Sequence, residues 1–311
     1  PTRRSSDLYG KVSLKDIFVE RQFSSHALLR VGNFVHQFGL QSSTSSSMKV
    51  TMEEPASNEA FFNSRLMGAM FVYDKNDFFG TASVHVESEA LKKKSNELGK
   101  MGYGAMSRLV YRPLHDTGRL FQLGISGAYE TPRYNSEPTL DHTSFDLGAN
   151  FPTRIAKVRA VNALIPDAKN LIKFTPEMIA GYGPVALEAQ YYYLQVNRKK
   201  DFKNYKASGM YGILRGLLIG GNYRYSHTDC GIATPDSGSL ECVFGYNYTD
   251  MSDTRSHIYG GRLNDVSFTV NYYINKYMIW RFRYSYTKIT DRVGFENQSL
   301  SAFQTRFQVI F

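Results

Sequence analysis

Apolar and polar residues alternate with a period of two along most of this chain, most strictly near its C-terminal end. Leu240, Cys242, Phe244, Tyr246 and Tyr248 are interleaved with Glu241, Val243, Gly245 and Asn247. Val266, Phe268, Val270 and Tyr272 alternate with Asp265, Ser267, Thr269 and Asn271. Met278, Trp280, Phe282, Tyr284 and Tyr286 alternate with Ile279, Arg281, Arg283 and Ser285. The last run sets Phe303, Thr305, Phe307, Val309 and Phe311 against Gln304, Arg306, Gln308 and Ile310. Successive side chains of a strand point to opposite faces, so each run predicts a strand with one apolar and one polar face. Looser runs at 11–22, 27–35, 65–73, 78–86, 102–111, 120–129, 143–150, 174–181, 185–196, 205–213 and 218–225 bring the expectation to about fifteen strands. Each is about ten residues, the length a tilted strand needs to cross a bilayer. Tight turns at Ile274-Asn275-Lys276 and Gly181-Tyr182-Gly183-Pro184 contrast with long polar connections at 250–261 and 287–299. Short turns at one end and long loops at the other are the pattern of a membrane barrel.

A soluble sandwich also alternates, with its apolar face on a core. Three features favour the membrane. The strands are too many for one ordinary sandwich, the apolar faces are dense in aromatic rings, and the chain closes on an aromatic residue with apolar positions spaced by two before it. Tyr 22 and Phe 21 against Trp 1 suit aromatic girdles at two membrane interfaces. No apolar run approaches the roughly 18 residues of a spanning helix, so a membrane protein of this composition must be a closed barrel. The expected fold is therefore all-β: a transmembrane antiparallel β-barrel of about sixteen strands, about fifteen of them in this chain.

Net charge is +9. A basic balance serves solubility, nucleic-acid binding or attraction of small anions. Stacking platforms for nucleic acid interleave basic and aromatic residues on one face, whereas here they segregate to opposite faces, so no nucleic-acid partner is expected. Cys230 and Cys242 give no metal spacing and no redox motif. They flank a connection centred near Asp236, and spacing alone leaves open whether they bond.

The opening residues Pro1 to Leu8 resemble a translated sequencing adapter. CCT ACA CGA CGC TCT TCC GAT CT encodes Pro-Thr-Arg-Arg-Ser-Ser-Asp and begins a Leu codon. On this reading residues 1–8 are an artefact, 9–311 form one outer-membrane barrel domain, and the natural chain extends upstream with the remaining strand. Setting aside Arg3, Arg4 and Asp7 takes the net charge from +9 to +8, so the basic balance survives.

The last eight residues, Gln304-Thr305-Arg306-Phe307-Gln308-Val309-Ile310-Phe311, resemble the terminal strand recognised by the outer-membrane barrel assembly machinery. The stretch from Gly238 is more specific: GSLECVFGYNYTDM, then Gly260-Gly261, then Asn271-Tyr272-Tyr273, then a further strand at 277–286. With Gly183-Pro184 before Leu187-Glu188-Ala189-Gln190-Tyr191-Tyr192, and Leu29-Arg30-Val31-Gly32-Asn33-Phe34 before Phe38-Gly39-Leu40, it resembles the phosphate-selective porin O and P family. The resemblance runs from about Leu29 to Phe311 and is tightest in the last quarter. It implies a trimeric porin of the bacterial outer membrane with a loop folded into the lumen. The segment 42–62 is the candidate for that loop, and Met52-Glu53-Glu54-Pro55 stands where the family often carries an acidic–Arg element.

In a porin, polar positions face the lumen. The alternation assigns Arg30, Arg108, Glu188, Glu241, Arg281, Arg283 and Arg306 there. Arg suits an oxoanion because its planar fork donates two hydrogen bonds to two oxygens. Arg281, Arg283, Arg306, Arg108 and Arg30 are thus the candidate anion contacts. Arg281 and Arg283, two apart on one strand, head the set. The structural alternative for each is an ion pair with a lumen carboxylate such as Glu188 or Glu241. The basic runs Lys92-Lys93-Lys94 and Arg198-Lys199-Lys200, with Lys203 and Lys206 nearby, fall in connections: solvated loops, an anion-collecting mouth, or a surface for lipid phosphate.

Seven histidines are scattered, and the nearest local pair for a barrel hydrolase is His142 with Ser144. No catalytic residue, metal site or cofactor is expected. The expected function is passive diffusion of small anions such as phosphate across the outer membrane. The expected partners are those anions, outer-membrane lipid, the assembly machinery and two further copies of the chain. A plugged barrel acting as a partner-binding platform and a barrel hydrolase are the alternatives.

Overall fold

Strict alternation with two-residue turns produces hairpin after hairpin. The computed structural model describes residues 15–42, 44, 48–62, 65–86, 102–132, 144–153 and 158–309. In chain order the elements are β1 (Ile17–Ser24), β2 (Ala27–Val35), α1 (Ala56–Phe61), β3 (Arg65–Lys75), β4 (Phe78–Val86), β5 (Tyr103–Asp116), β6 (Arg119–Glu130), β7 (Phe145–Asn150), β8 (Arg159–Ile165), β9 (Ala168–Tyr182), β10 (Val185–Arg198), β11 (Tyr205–Ile219), β12 (Tyr225–Ser226), β13 (Gly231–Ile232), β14 (Leu240–Asp253), β15 (Ile258–Asn275), β16 (Met278–Arg292) and β17 (Gln298–Val309). Thirteen of the strands form one antiparallel sheet in the order β1-β2-β3-β4-β5-β6-β9-β10-β11-β14-β15-β16-β17. Among the described residues no pairing joins the β1 edge to the β17 edge.

The two faces of this sheet invert the rule for soluble proteins. Outward positions are apolar and open: Leu109 is 61% exposed, Ile125 53%, Val266 54% and Phe303 72%. Inward positions are charged and covered, with Arg108, Glu241 and Arg281 all at 0%. Such a wall is stable only when hydrocarbon bathes its outside. Along β16, Trp280, Tyr284 and Tyr286 lie outward, while Arg281, Arg283, Ser285 and Thr287 are buried inward. The faces of the four C-terminal strands are therefore those predicted from the alternation.

Tight turns at 25–26, 76–77, 117–118, 183–184 and 276–277 mark one end of the barrel. Segments 36–64 and 131–167 join strands at the other end. The long connections expected at 250–261 and 287–299 shrink to 254–257 and 293–297, because the flanking strands run on past them. One long connection lies at the opposite end. The segment 220–239 lies at the tight-turn end between β11 and β14.

Three expectations need correcting. The predicted wall strand at 143–150 becomes β7, which among the described residues pairs only with β8 and packs against α1, while β8 packs inside against β15. The predicted strand at 218–225 contributes only the end of β11 to the wall, and its last residue begins the short β12. Gly220 then takes φ +132° beside Ser239, where a Cβ would lie 2.6 Å from the hydroxyl oxygen, and the chain turns inward. The wall among the described residues accordingly has 13 strands, against the about fifteen expected. The cysteines are both free. Cys230 is buried on the inward-folded segment, whereas Cys242 shares the outward parity of Phe244 and Tyr246. Residues 1–8 lie outside the described residues, as does the N-terminal part of the predicted strand at 11–22.

Candidate functional site

Besides the β7–β8 hairpin, two inserts enter the barrel from opposite ends and meet inside. The first is the β2–β3 connection, the segment expected to fold inward. It is tied to the wall all round its path. Gly39 N–H donates to Ser126 Oγ at 3.1 Å and Leu40 N–H to Gln190 Oε1 at 3.2 Å. Ser57 donates from both its amide and its hydroxyl to Asn247 Oδ1, and Tyr192 Oη–H donates to Asn58 Oδ1 at 2.7 Å. Lys173 Nζ donates to Phe61 O at 2.8 Å. Gly39 sits so close to the wall that a Cβ there would lie 1.8 Å from Gln190 Nε2.

The second insert, 220–239, is held by aromatic–cation and hydroxyl contacts. Arg215 lies 5.0 Å over the Tyr223 ring, and Arg112 lies 5.5 Å over Tyr225. Tyr223 Oη–H donates to Glu241 at 2.8 Å and Tyr225 Oη–H to Gln122 Oε1 at 2.5 Å. Burial pushes the Tyr223 phenol and the Cys230 thiol upward, so both stay protonated. Leu40 of the first insert packs in one cluster with Tyr223 of the second, Ile232 lying at its margin.

Between the inserts lies a cavity of about 200 Å³. Gln41 and Lys49 line it from the first insert, Asp229 and Thr234 from the second, and Glu188 and Arg215 from the wall. Toward the long-connection end the filling becomes apolar. Phe61 of α1, Val161 and Ile165 of β8, and Leu263 and Ile289 of the wall belong to one buried cluster.

The five candidate arginines have separate fates. Arg30 pairs with Glu20 near the β1 edge, with its guanidinium 4.3 Å over Phe18. Arg108 grips Glu177 through Nε (3.1 Å) and Nη2 (2.7 Å) and also reaches Gln37. Arg283 pairs with Asp265 at 3.2 Å and donates to Pro152 O. Arg306 pairs with Glu53 at 3.0 Å and donates to Met52 O. These four are held in the structural alternative, as ion pairs. The predicted lumen carboxylates Glu188 and Glu241 both pair with Arg215, which the predicted strand at 205–213 stopped short of.

Arg281 differs from the other four. It is wholly buried, and its Nη1 donates to Lys49 O at 2.6 Å. Among the described residues no group accepts from Nε or Nη2, and no carboxylate forms an ion pair with Arg281. The free pair of donors is the edge with which Arg108 holds Glu177 and Arg65 holds Asp16. Directly across the β16–β17 ladder stands Arg306. The structure thus brings together Arg281, Arg306 and the Lys49 segment, and leaves Arg108 and Arg30 elsewhere on the wall.

Sequence reasoning missed Arg112, Lys173, Glu177 and Arg215, all interior ion-pair members. A signal existed for two of them, since Lys173, Thr175 and Glu177 alternate with Ile172, Phe174, Pro176 and Met178. Lys92, Lys93, Lys94 and His142 lie outside the described residues.

The sequence model of the phosphate-selective porin O and P family matches residues 2–311. None of the curated proteins matches. Among solved structures, the outer-membrane expressed OmpT of Vibrio cholerae superposes with a TM-score of 0.52 at 9% identity, covering 93% of this chain and 77% of its own. OmpT folded in vitro, an outer membrane protein of the same organism, gives 0.50 at 10% identity, covering 90% and 74%. At such identities the likeness shows the fold, an outer-membrane barrel.

Proposed function

We propose, from the premise that the chain belongs to the phosphate-selective porin O and P family, that Arg281 is the anion-contacting group of its lumen. The protein is an outer-membrane porin for small anions. The observation that carries the site is the unpaired Nε/Nη2 edge of a buried guanidinium. A tetrahedral oxoanion offers that edge two oxygens in the geometry a carboxylate uses at Arg108. Arg306, opposite, adds a second positive charge partly offset by Glu53. Binding stays weak because one edge, rather than a cage, meets the solute, and conduction requires release as much as capture.

The protein is a passive channel on this reading, without catalytic chemistry. In support, the lumen carboxylates Glu177, Glu241, Asp265 and Glu53 are engaged as guanidinium acceptors rather than set beside a nucleophile. A homotrimer follows from the family resemblance. Recognition by the assembly machinery is supported by β17, an edge strand with Phe303, Phe307 and Val309 outward.

One observation favours a tighter pore than a general diffusion channel: the two inserts leave a chamber of about 200 Å³. At about 30 Å³ per water, a solute there displaces roughly seven waters. The test is chloride current through single barrels in a planar bilayer while inorganic phosphate is added. Phosphate is expected to block the current, and Arg281→Gln to raise the half-blocking concentration about tenfold. A block unchanged in Arg281→Gln removes Arg281 from the pathway. A folded barrel that carries no current supports the plugged alternative.

A further inference from the structure

The outer surface carries a second feature, independent of solute passage, where β9, β10 and β11 reach the long-connection end. The outward column of β10 runs Tyr191, Tyr193, Gln195, Asn197. Tyr193 Oη–H donates to Gln195 Oε1, Gln195 Nε2 to Asn197 Oδ1 at 2.8 Å, and Asn197 Nδ2 to Asn170 Oδ1 at 2.7 Å. Aromatic rings thus give way to a hydrogen-bonded amide ladder within one strand. Such a change marks the level where hydrocarbon meets headgroups. Below it, Ile172, Phe174, Tyr191 and Met210 are each more than 40% exposed, as lipid-facing side chains should be.

Lysines cluster at and just above that level. Lys206 stands across from Gln195 in the ladder, and Gln195 across from Ile172. Lys169 is exposed beside Asn170, and Lys199, Lys200 and Lys203 are exposed in the connection between β10 and β11. No ion pair joins any of the five to a carboxylate among the described residues. Asp167 and Asp201 are the acids of these connections, and Asp253 Oδ2 accepts from Lys206 N–H at 3.0 Å, so five lysines against three acids leave the sector net positive.

The same level on β14–β16 is built differently. There Arg262 pairs with Asp250 at 2.9 Å and Asp291 at 2.9 Å, and Tyr248 Oη–H donates to Asp250. Acids and bases balance in that sector, and Lys288 is an exposed cation there that forms no ion pair among the described residues. The excess of positive charge is therefore local, and it lies on the lipid-facing side of the wall rather than in the lumen.

The geometry points to a docking site for a phosphorylated lipid headgroup of the outer leaflet, formed by Lys169, Lys206 and the 199–203 connection. The long connections of such barrels face outward from the cell. Acyl chains would lie along Ile172, Phe174, Tyr191 and Met210 while phosphate oxygens meet the lysine ammoniums. Surface charge of this kind acts within a Debye length, which favours a group held in the membrane plane over one diffusing past.

The test uses the folded barrel in phosphatidylcholine vesicles doped with bis-phosphorylated lipid A or with the same lipid stripped of phosphate. Lipid A retained per barrel is measured after detergent extraction. Wild type is expected to retain the phosphorylated form about tenfold over the stripped form. Combined substitution of Lys169, Lys199, Lys200, Lys203 and Lys206 by Gln abolishes the preference, and substitution of the five by Arg preserves it. Lys288→Gln in the balanced sector leaves it unchanged. Heat-modifiable gel mobility monitors folding of each variant. Equal retention of both lipids by wild type would overturn the proposal, as would a preference surviving in the folded Gln variant. Displacement of lipid A by equimolar inorganic phosphate would also overturn it, by reassigning the lysines to free anion. Chloride conductance, read alongside, tests the lumen separately and is expected to stay constant across the set.

Discussion

Removing the guanidinium from Arg108 should cost far more stability than removing it from Arg281, although both are fully buried. Arg108 meets Glu177 with both side chains at 0% exposure and adds a 2.9 Å bond to Gln37. Arg108→Gln leaves Glu177 buried with Gln122 as its remaining side-chain donor. Breaking a buried pair in this way costs about 3–5 kcal/mol, because the stranded carboxylate has lost its compensation. Arg281 has one bond, to a backbone carbonyl, and a like charge opposite on the neighbouring strand. Losing one hydrogen bond costs about 1–2 kcal/mol. Relief of the cross-strand repulsion and of an unsatisfied buried edge returns roughly as much. Arg281→Gln should therefore change stability by less than about 1 kcal/mol. Urea unfolding of both variants in vesicles, followed by tyrosine and tryptophan fluorescence, measures the difference. Equal destabilisation by the two substitutions would make Arg281 another structural member of the wall and leave no free guanidinium for a solute.

Glu53→Gln should release Arg306 from its 3.0 Å pair and shift the reversal potential further toward the anion limit; a shift toward cations would contradict the placement. Gly39→Val cannot keep φ +79° or the contact with Gln190, so it should displace the first insert and enlarge single-channel conductance in a planar bilayer. His36 is buried beside Phe34 and His85, with ring centroids 4.3 and 5.4 Å away. Burial, reinforced by His85, pushes its pKa from the ordinary 6.5 down to about 4. The unfolded chain takes up a proton at His36 that the folded one refuses, so this histidine makes stability fall as pH drops from about 6.5 to about 4. The full fall is about 3 kcal/mol. His36→Phe should abolish that part of the pH dependence, seen as a smaller change in urea midpoint between pH 7 and pH 4.5; an unchanged difference would exclude His36 as its source.

The strands from Leu240 onward were legible because lipid on one side and the lumen on the other impose opposite demands on alternate residues. Wall strands obey that rule wherever they cross the bilayer, and so Arg281 and Arg283 could be assigned inward from sequence. Their state of pairing could not. Arg108 meets a carboxylate 69 positions away, and Arg306 meets one 253 positions away, while alternation reports only a residue's own face. The inserts were misread for a related reason. β7 and β8 lie within the barrel, and Ala149, Val161 and Ile165 are buried there as if on a wall strand's covered face. In 220–239, Tyr223 and Tyr225 look like girdle residues, yet their hydroxyls serve Glu241 and Gln122 inside. The inward loop at 42–62 was anticipated through family resemblance, since its own residues carry no periodic signal.

The sign of the reversal potential of the folded barrel, in a planar bilayer under a salt gradient, is the decisive measurement. An anion-preferring pore, with net charge +9 and the unpaired Arg281 in its lumen, predicts a potential displaced toward the anion equilibrium value and reduced by Arg281→Gln. A potential at zero, or displaced toward the cation value, would contradict it.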